Sequence, residues 1–108
     1  MEQRKFQRFS TNSHVVFSSE TVKEEGRLEN LSGGGAAVLT ELAIARGEYL
    51  GLKITCPSEP AAIDVDLAPV RWVKEGSFGV EFIRISPDAQ QRLKTYLDTL
   101  EDGSSKAA

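Results

Sequence analysis

Two short stretches carry side chains whose types and spacing could do chemistry. The first is Arg4-Lys5-Phe6-Gln7-Arg8. Arginines four apart lie on one side of a helical or tightly turned backbone. A planar guanidinium donates two parallel hydrogen bonds, which suits phosphate oxygens and the O6/N7 edge of guanine. The second is Asn30-Leu31-Ser32-Gly33-Gly34-Gly35. Its amide and hydroxyl, two residues apart, can face a ligand from the end of a strand. Its glycines permit close approach of a planar group to backbone N–H groups, and Gly33 and Gly34 predict a mobile turn. Each stretch also has a plain reading: a solvated basic terminus and an ordinary hairpin turn.

Trp72 is the only tryptophan. Two uses are open to it, a place in the core or a stacking platform at the surface, a contact worth ~1–3 kcal/mol per base in single-strand binders. Alternation sets Trp72 opposite in facing to Arg71 and Val73. With Trp72 outward, Lys74 shares its face and can meet a phosphate.

Catalytic readings find little to stand on. His14 is the only histidine and sits in the strand-like run His14-Val15-Val16-Phe17. No set of His, Cys and carboxylates has metal-ligand spacing, so neither a metal nor a cofactor is expected. No Gly-x-Ser-x-Gly flags a nucleophile. The triple glycine is not followed by Gly-Lys-Ser/Thr, so it is not a phosphate-binding Walker loop. Cys56 reads as a small structural hydrophobe or an inert thiol.

The elements that must position these residues are mostly strands. His14 to Ser19, Thr21 to Leu31, Ala36 to Thr40, Glu48 to Cys56, Ile63 to Val73 and Phe78 to Phe82 are β-branched, aromatic or alternating in polarity. Gly26 marks an expected bulge or bend, and Pro69 must sit at an edge or bulge. Glu41 to Gly47 reads as a short helical turn. Ser86 then caps a helix that starts at Pro87 and carries Ala89, Leu93, Tyr96, Leu97 and Leu100 at helical spacing. Gly103 is its expected stop. This order predicts a mainly β protein, a six-stranded antiparallel barrel with a C-terminal α-helix. The predicted layout is a flexible arm over residues 1–12, a barrel with its closing helix over 13–102 and a disordered tail over 103–108.

With 108 residues the chain is sized for one domain. Thirteen Lys and Arg against sixteen Asp and Glu give a net charge of −3. That sign disfavours a protein that coats DNA or RNA. A small basic arm on an acidic body suits a compact anion better than a long polyanion. One cysteine fits a reducing cytosol, and no apolar run is long enough to enter a membrane.

Taken together, Arg4-x-x-x-Arg8, then Asn30-x-Ser32-x-x-Gly35, resemble the paired motifs of the PilZ domain family. Val70-Arg71-Trp72, Gly76 and Phe78-Gly79-Val80-Glu81-Phe82 are similar to that family's late barrel hairpin. The resemblance implies a six-stranded barrel and a bacterial, cytoplasmic receptor for cyclic di-GMP, with no enzymatic activity. By the same resemblance Arg4 and Arg8 hold phosphates and guanine edges, while Asn30, Ser32 and Gly35 seat a guanine. Many members have Asp at the position of Asn30, and Asn keeps an acceptor but loses the charge. The implied partner is an unidentified effector protein reached in trans, since the arm begins at residue 1. The alternative is a PilZ-like module that docks a protein without binding nucleotide.

Overall fold

The alternating Val, Phe, Leu and Ile positions do form antiparallel strands, and one set of faces closes on itself. The computed structural model describes residues 9–11, 13–55 and 62–107, with side chains to residue 100. Arg4, Arg8 and Cys56 therefore lie outside the described residues. The elements are β1 (Phe9–Ser10), β2 (His14–Ser18), β3 (Lys23–Leu31), β4 (Gly35–Leu39), β5 (Tyr49–Ile54), β6 (Ile63–Lys74), β7 (Ser77–Glu81), β8 (Arg84–Ile85) and α1 (Pro87–Ala107).

The strands pair in the order β3-β2-β5-β6-β7-β4, and β4 returns to β3. This is the expected closed barrel of six antiparallel strands, and closure leaves those strands without a free edge. Two short strands go beyond the expected set. β1 extends the β2 side of β3, with Phe9 opposite Leu31 and Ser10 opposite Asn30. It falls within the stretch read as arm. β8 pairs β6; two residues are too few to leave a periodic signal in sequence.

Inward side chains fill the barrel. Val15, Phe17, Leu28, Leu31, Val38, Ile54, Ile63, Val70 and Phe78 are at most 1% exposed. Phe17 and Phe78 meet edge to face with ring centroids 5.2 Å apart, a geometry that adds about 0.5–1.5 kcal/mol to their burial. Helix α1 lays Ala89, Leu93 and Tyr96 against this core, with Leu97 and Leu100 half-buried beside them. Its start is as expected: the Ser86 hydroxyl accepts the Ala89 N–H at 3.1 Å, satisfying a donor that the first turn cannot.

Several local expectations are corrected. Gly26 pairs with Val15 in unbroken register. The irregularity in β3 falls instead between Leu28 and Asn30. Gly26 is there for space, since a Cβ would sit 2.6 Å from the Leu39 carbonyl oxygen. Residues 41–47 form a loop rather than a helical turn. Its donors go elsewhere, Gly47 N–H to the Val70 carbonyl and Ala45 N–H to the Glu48 carboxylate. Helix α1 passes Gly103 and continues to Ala107, into the stretch expected as a tail. Glycine retains its N–H donor and costs a helix only about 1 kcal/mol relative to alanine. Pro69 falls between the β8-paired and β7-paired halves of β6 and beside a register shift, as its missing N–H requires.

Tyr96 fastens the helix to the barrel by more than its ring. Its hydroxyl is hydrogen-bonded to the buried Ser13 hydroxyl and lies 3.1 Å from that of Thr11. Thr11 and Ser13 are themselves 3.0 Å apart. Tyr96→Phe keeps the ring and leaves those two hydroxyls bonded to each other. Urea denaturation should register a loss of about 1 kcal/mol; a stability equal to wild type would show that the cluster contributes nothing.

Candidate functional site

The second motif lies where β3 turns into β4. Ser32 is 4% exposed, and its hydroxyl is occupied within the turn. It accepts the N–H groups of Gly34 at 3.2 Å and Gly35 at 3.1 Å, and it sits 3.3 Å from the Gly35 carbonyl. The Ser32 N–H also donates to that carbonyl at 2.9 Å. The side chain therefore stitches the turn, so the mobility expected from Gly33 and Gly34 meets a hydrogen-bonded clasp. Neither glycine adopts a positive φ. Gly35 is needed for a different reason. A Cβ there would stand 2.4 Å from the Val80 carbonyl oxygen, so β4 could not approach β7.

The register then aligns residues across four strands. Asn30 on β3 faces Ala37 on β4, Ala37 faces Gly79 on β7, and Gly79 faces Trp72 on β6. Their chain neighbours Leu31, Ala36, Val38, Phe78 and Val80 belong to the core, so this transverse row stands on the outer face. Ser10 on β1 extends it past Asn30. The row runs from an amide, across two residues with almost no side chain, to an indole.

Trp72 points outward because β6 carries one extra residue. Val70 pairs Val80, and Trp72 pairs Gly79 with a register shift between them. Arg71 and Trp72 thus both oppose Gly79, which is the geometry of a β-bulge. The alternation that sets Arg71 opposite in facing to Trp72 fails at this point. Arg71 reaches along the outside to Glu81, with Nε and Nη2 each 2.8 Å from Oε1. Val73 pairs the inward Phe78 but lies near the barrel end and is 43% exposed.

The indole is half-buried and lies flat against Gly79. A Cβ on Gly79 would fall 2.1 Å from Nε1 and 2.2 Å from Cε2. Lys74 places its ammonium 5.3 Å from the ring centroid, a cation–π contact of about 0.5–1 kcal/mol at an exposed site. Gly79 and Ala37, the floor of the row, escaped the sequence reading. The available signal was a glycine inside the strand run Phe78-Gly79-Val80, which marks close approach of another group.

Three sides of this region are now placed. β1 brings the chain in beside Leu31 and Asn30, with the Arg4-x-x-x-Arg8 motif ending one residue before Phe9. Gly33 faces α1 across a cleft of about 440 Å³, where Leu93, Lys94 and Leu97 form the far wall. Trp72 and Lys74 close the opposite end of the row. His14 is exposed, on β2, and bonded to Glu25 at 3.0 Å. Among the described residues, no group of three or more His, Cys, Asp or Glu could hold a metal ion.

A closed six-stranded barrel with a helix and this pair of motifs defines the class. The PilZ domain family matches residues 2–99, and the chain belongs to that family. A comparison with curated proteins finds no match. Among solved structures, the Bacillus subtilis inhibitor of motility MotI/DgrA is 23% identical, with a TM-score of 0.78 over 94% of this chain and 53% of that one. Escherichia coli YcgR in complex with c-di-GMP is 17% identical, with a TM-score of 0.79 over 98% of this chain and 49% of that one. The PilZ domain of YcgR with c-di-GMP is 19% identical, with a TM-score of 0.70 over 98% of this chain and 97% of that one. The chain thus spans about half the length of the first two. At such identities the likeness is one of fold. No helix among the described residues is long and apolar enough to cross a membrane.

Gly79→Ala tests the floor directly. The added methyl must lift the indole, so Trp72 emission should shift to the red and stability should fall by about 1–3 kcal/mol, the usual range for overpacking. An unshifted spectrum would mean that the ring does not rest on Gly79.

Proposed function

We propose that this PilZ domain is a receptor for cyclic di-GMP and that the nucleotide lies on the outer row from Asn30 to Trp72. The observation that carries the reading is the register itself, which aligns Asn30, Ala37, Gly79 and Trp72 on one face. A planar base needs a polar edge and a stacking surface. Asn30 offers the first and the half-buried Trp72, seated on Gly79, the second, while Ala37 is 1% exposed and lies packed beneath the row. The structures of YcgR and of K. pneumonia MrkH in complex with c-di-GMP add support.

Arg4 and Arg8 take the phosphates and the guanine O6/N7 edges, where bidentate guanidinium bonds fit both. The pairing of Ser10 with Asn30 and of Phe9 with Leu31 supports a reading in which both motifs act on one ligand. Ser32 acts through the backbone, holding the N–H groups of Gly34 and Gly35 in their turn, and Gly35 lets the turn sit close to β7. Asn30 accepts from the guanine N1–H and N2–H edge. Lys74 leaves the exposed face of Trp72 as the base stacks there and moves to a phosphate. No bond is made or broken in the ligand.

Closing of the arm changes the surface that a partner protein reads, an order–disorder switch whose closed state the ligand must favour. The domain works in the cytoplasm as an adaptor. The alternative is a PilZ module that docks a protein without nucleotide; failure of the folded wild-type chain to bind cyclic di-GMP would favour it.

Calorimetry with cyclic di-GMP tests the arginine roles. A hydrogen bond to a charged group contributes about 1.5–3 kcal/mol, so Arg8→Ala should weaken binding about 10- to 100-fold. Equal affinity in wild type and Arg8→Ala would refute the arginine clamp. Asn30→Ala should cost less, about 2- to 10-fold, from a neutral hydrogen bond of about 0.5–1.5 kcal/mol.

A further inference from the structure

We infer that a second surface, at the β6–β7 hairpin end of the barrel, docks a cationic amphipathic segment of another protein. A furrow of about 390 Å³ opens there, with Leu42, Ile44, Val73 and Phe78 on its walls and floor and Glu41 and Glu75 on its rim. It runs into a neighbouring hollow of about 450 Å³ that shares Thr40, Glu41 and Leu42 and adds Glu24 and Glu25. Phe78 and Ile44 are buried, but Leu42 is 36% and Val73 43% exposed. The furrow thus offers apolar side chains that gain by being covered.

Charge identifies the occupant. Glu24, Glu41 and Glu75 make no salt bridge among the described residues. Lys74 also lines the furrow, but its ammonium is drawn toward Trp72 instead of the acids. An apolar trough rimmed by unneutralised carboxylates repels nucleic acid and anionic lipid. It complements a segment with leucine-like anchors on one face and Lys or Arg beside them, the helix-in-groove mode of recognition. The furrow shares Lys74 with the proposed ligand site, whereas Leu42, Glu41 and Glu75 lie outside the ligand row.

The test is an amide chemical-shift titration of the labelled full chain with a 14-residue synthetic helix of leucine and lysine. A peptide with glutamate in place of lysine serves as control. Saturable shifts should centre on residues 39–44 and 73–78, weaken with salt and be absent with the control. Leu42→Ser and the double variant Glu41→Lys/Glu75→Lys should each weaken binding at least about fivefold. Leu42→Ser should keep the cyclic di-GMP affinity of wild type, which separates failure of this surface from failure of the ligand site. Should Leu42→Ser unfold, Val73→Ser gives the same reading at another exposed wall. Shifts spread over the distant acids Asp64 and Asp66, or binding indifferent to both wall variants, would overturn the proposal.

Discussion

One extra residue in β6 decides what the outer surface of this barrel offers. With strict alternation from the buried Val70, Trp72 would point inward, into a core already closed by Phe17, Phe78 and Val80. The bulge at Arg71 turns the indole outward and sets it opposite Gly79. The indole can lie flat only because Gly79 has no side chain. Everything assigned to the outer row follows from this pairing of a bulge with a glycine. Arg71, displaced by the same bulge, is held by Glu81 along the outside of the barrel, an exposed pair that contributes little stability.

The same economy of space recurs on the neighbouring strand. Gly35 lets β4 approach β7 and complete the ring, while Ser32 binds the turn that leads into it. The motif residues thus have structural duties in this chain besides any contact with a ligand. Ser32 and Gly35 shape the turn, and Asn30 and Trp72 form the ends of the row. The hydroxyl cluster of Thr11, Ser13 and Tyr96 adds a link from the start of the barrel to α1. Movement of the N-terminal segment would therefore be felt by the helix that borders Gly33.

The barrel was legible in the sequence because its strands alternate, and the helix because Ser86-Pro87 and its apolar spacing announce it. The two-residue strands β1 and β8 were not, since neither is long enough to show a period. The loop over residues 41–47 looked helical from composition, but its donors are taken by β6 and Glu48. The facing of Trp72 stayed open because a bulge leaves no mark in residue types. Asn30, Ser32, Gly35, Trp72 and Lys74 were all visible as candidates. Their alignment was not, because register is a property of strand pairs, and so Ala37 and Gly79 went unnoticed. Arg4 and Arg8 rest on sequence alone, with β1 showing only where the chain beyond Phe9 issues.

Because Trp72 is the only tryptophan, its emission reports on one place, the far end of the proposed nucleotide surface. Cyclic di-GMP titrated into the wild-type chain should quench that emission saturably, with the same dissociation constant that calorimetry gives. Calorimetric binding that leaves the Trp72 spectrum untouched would put the nucleotide elsewhere and contradict the assignment of the outer row.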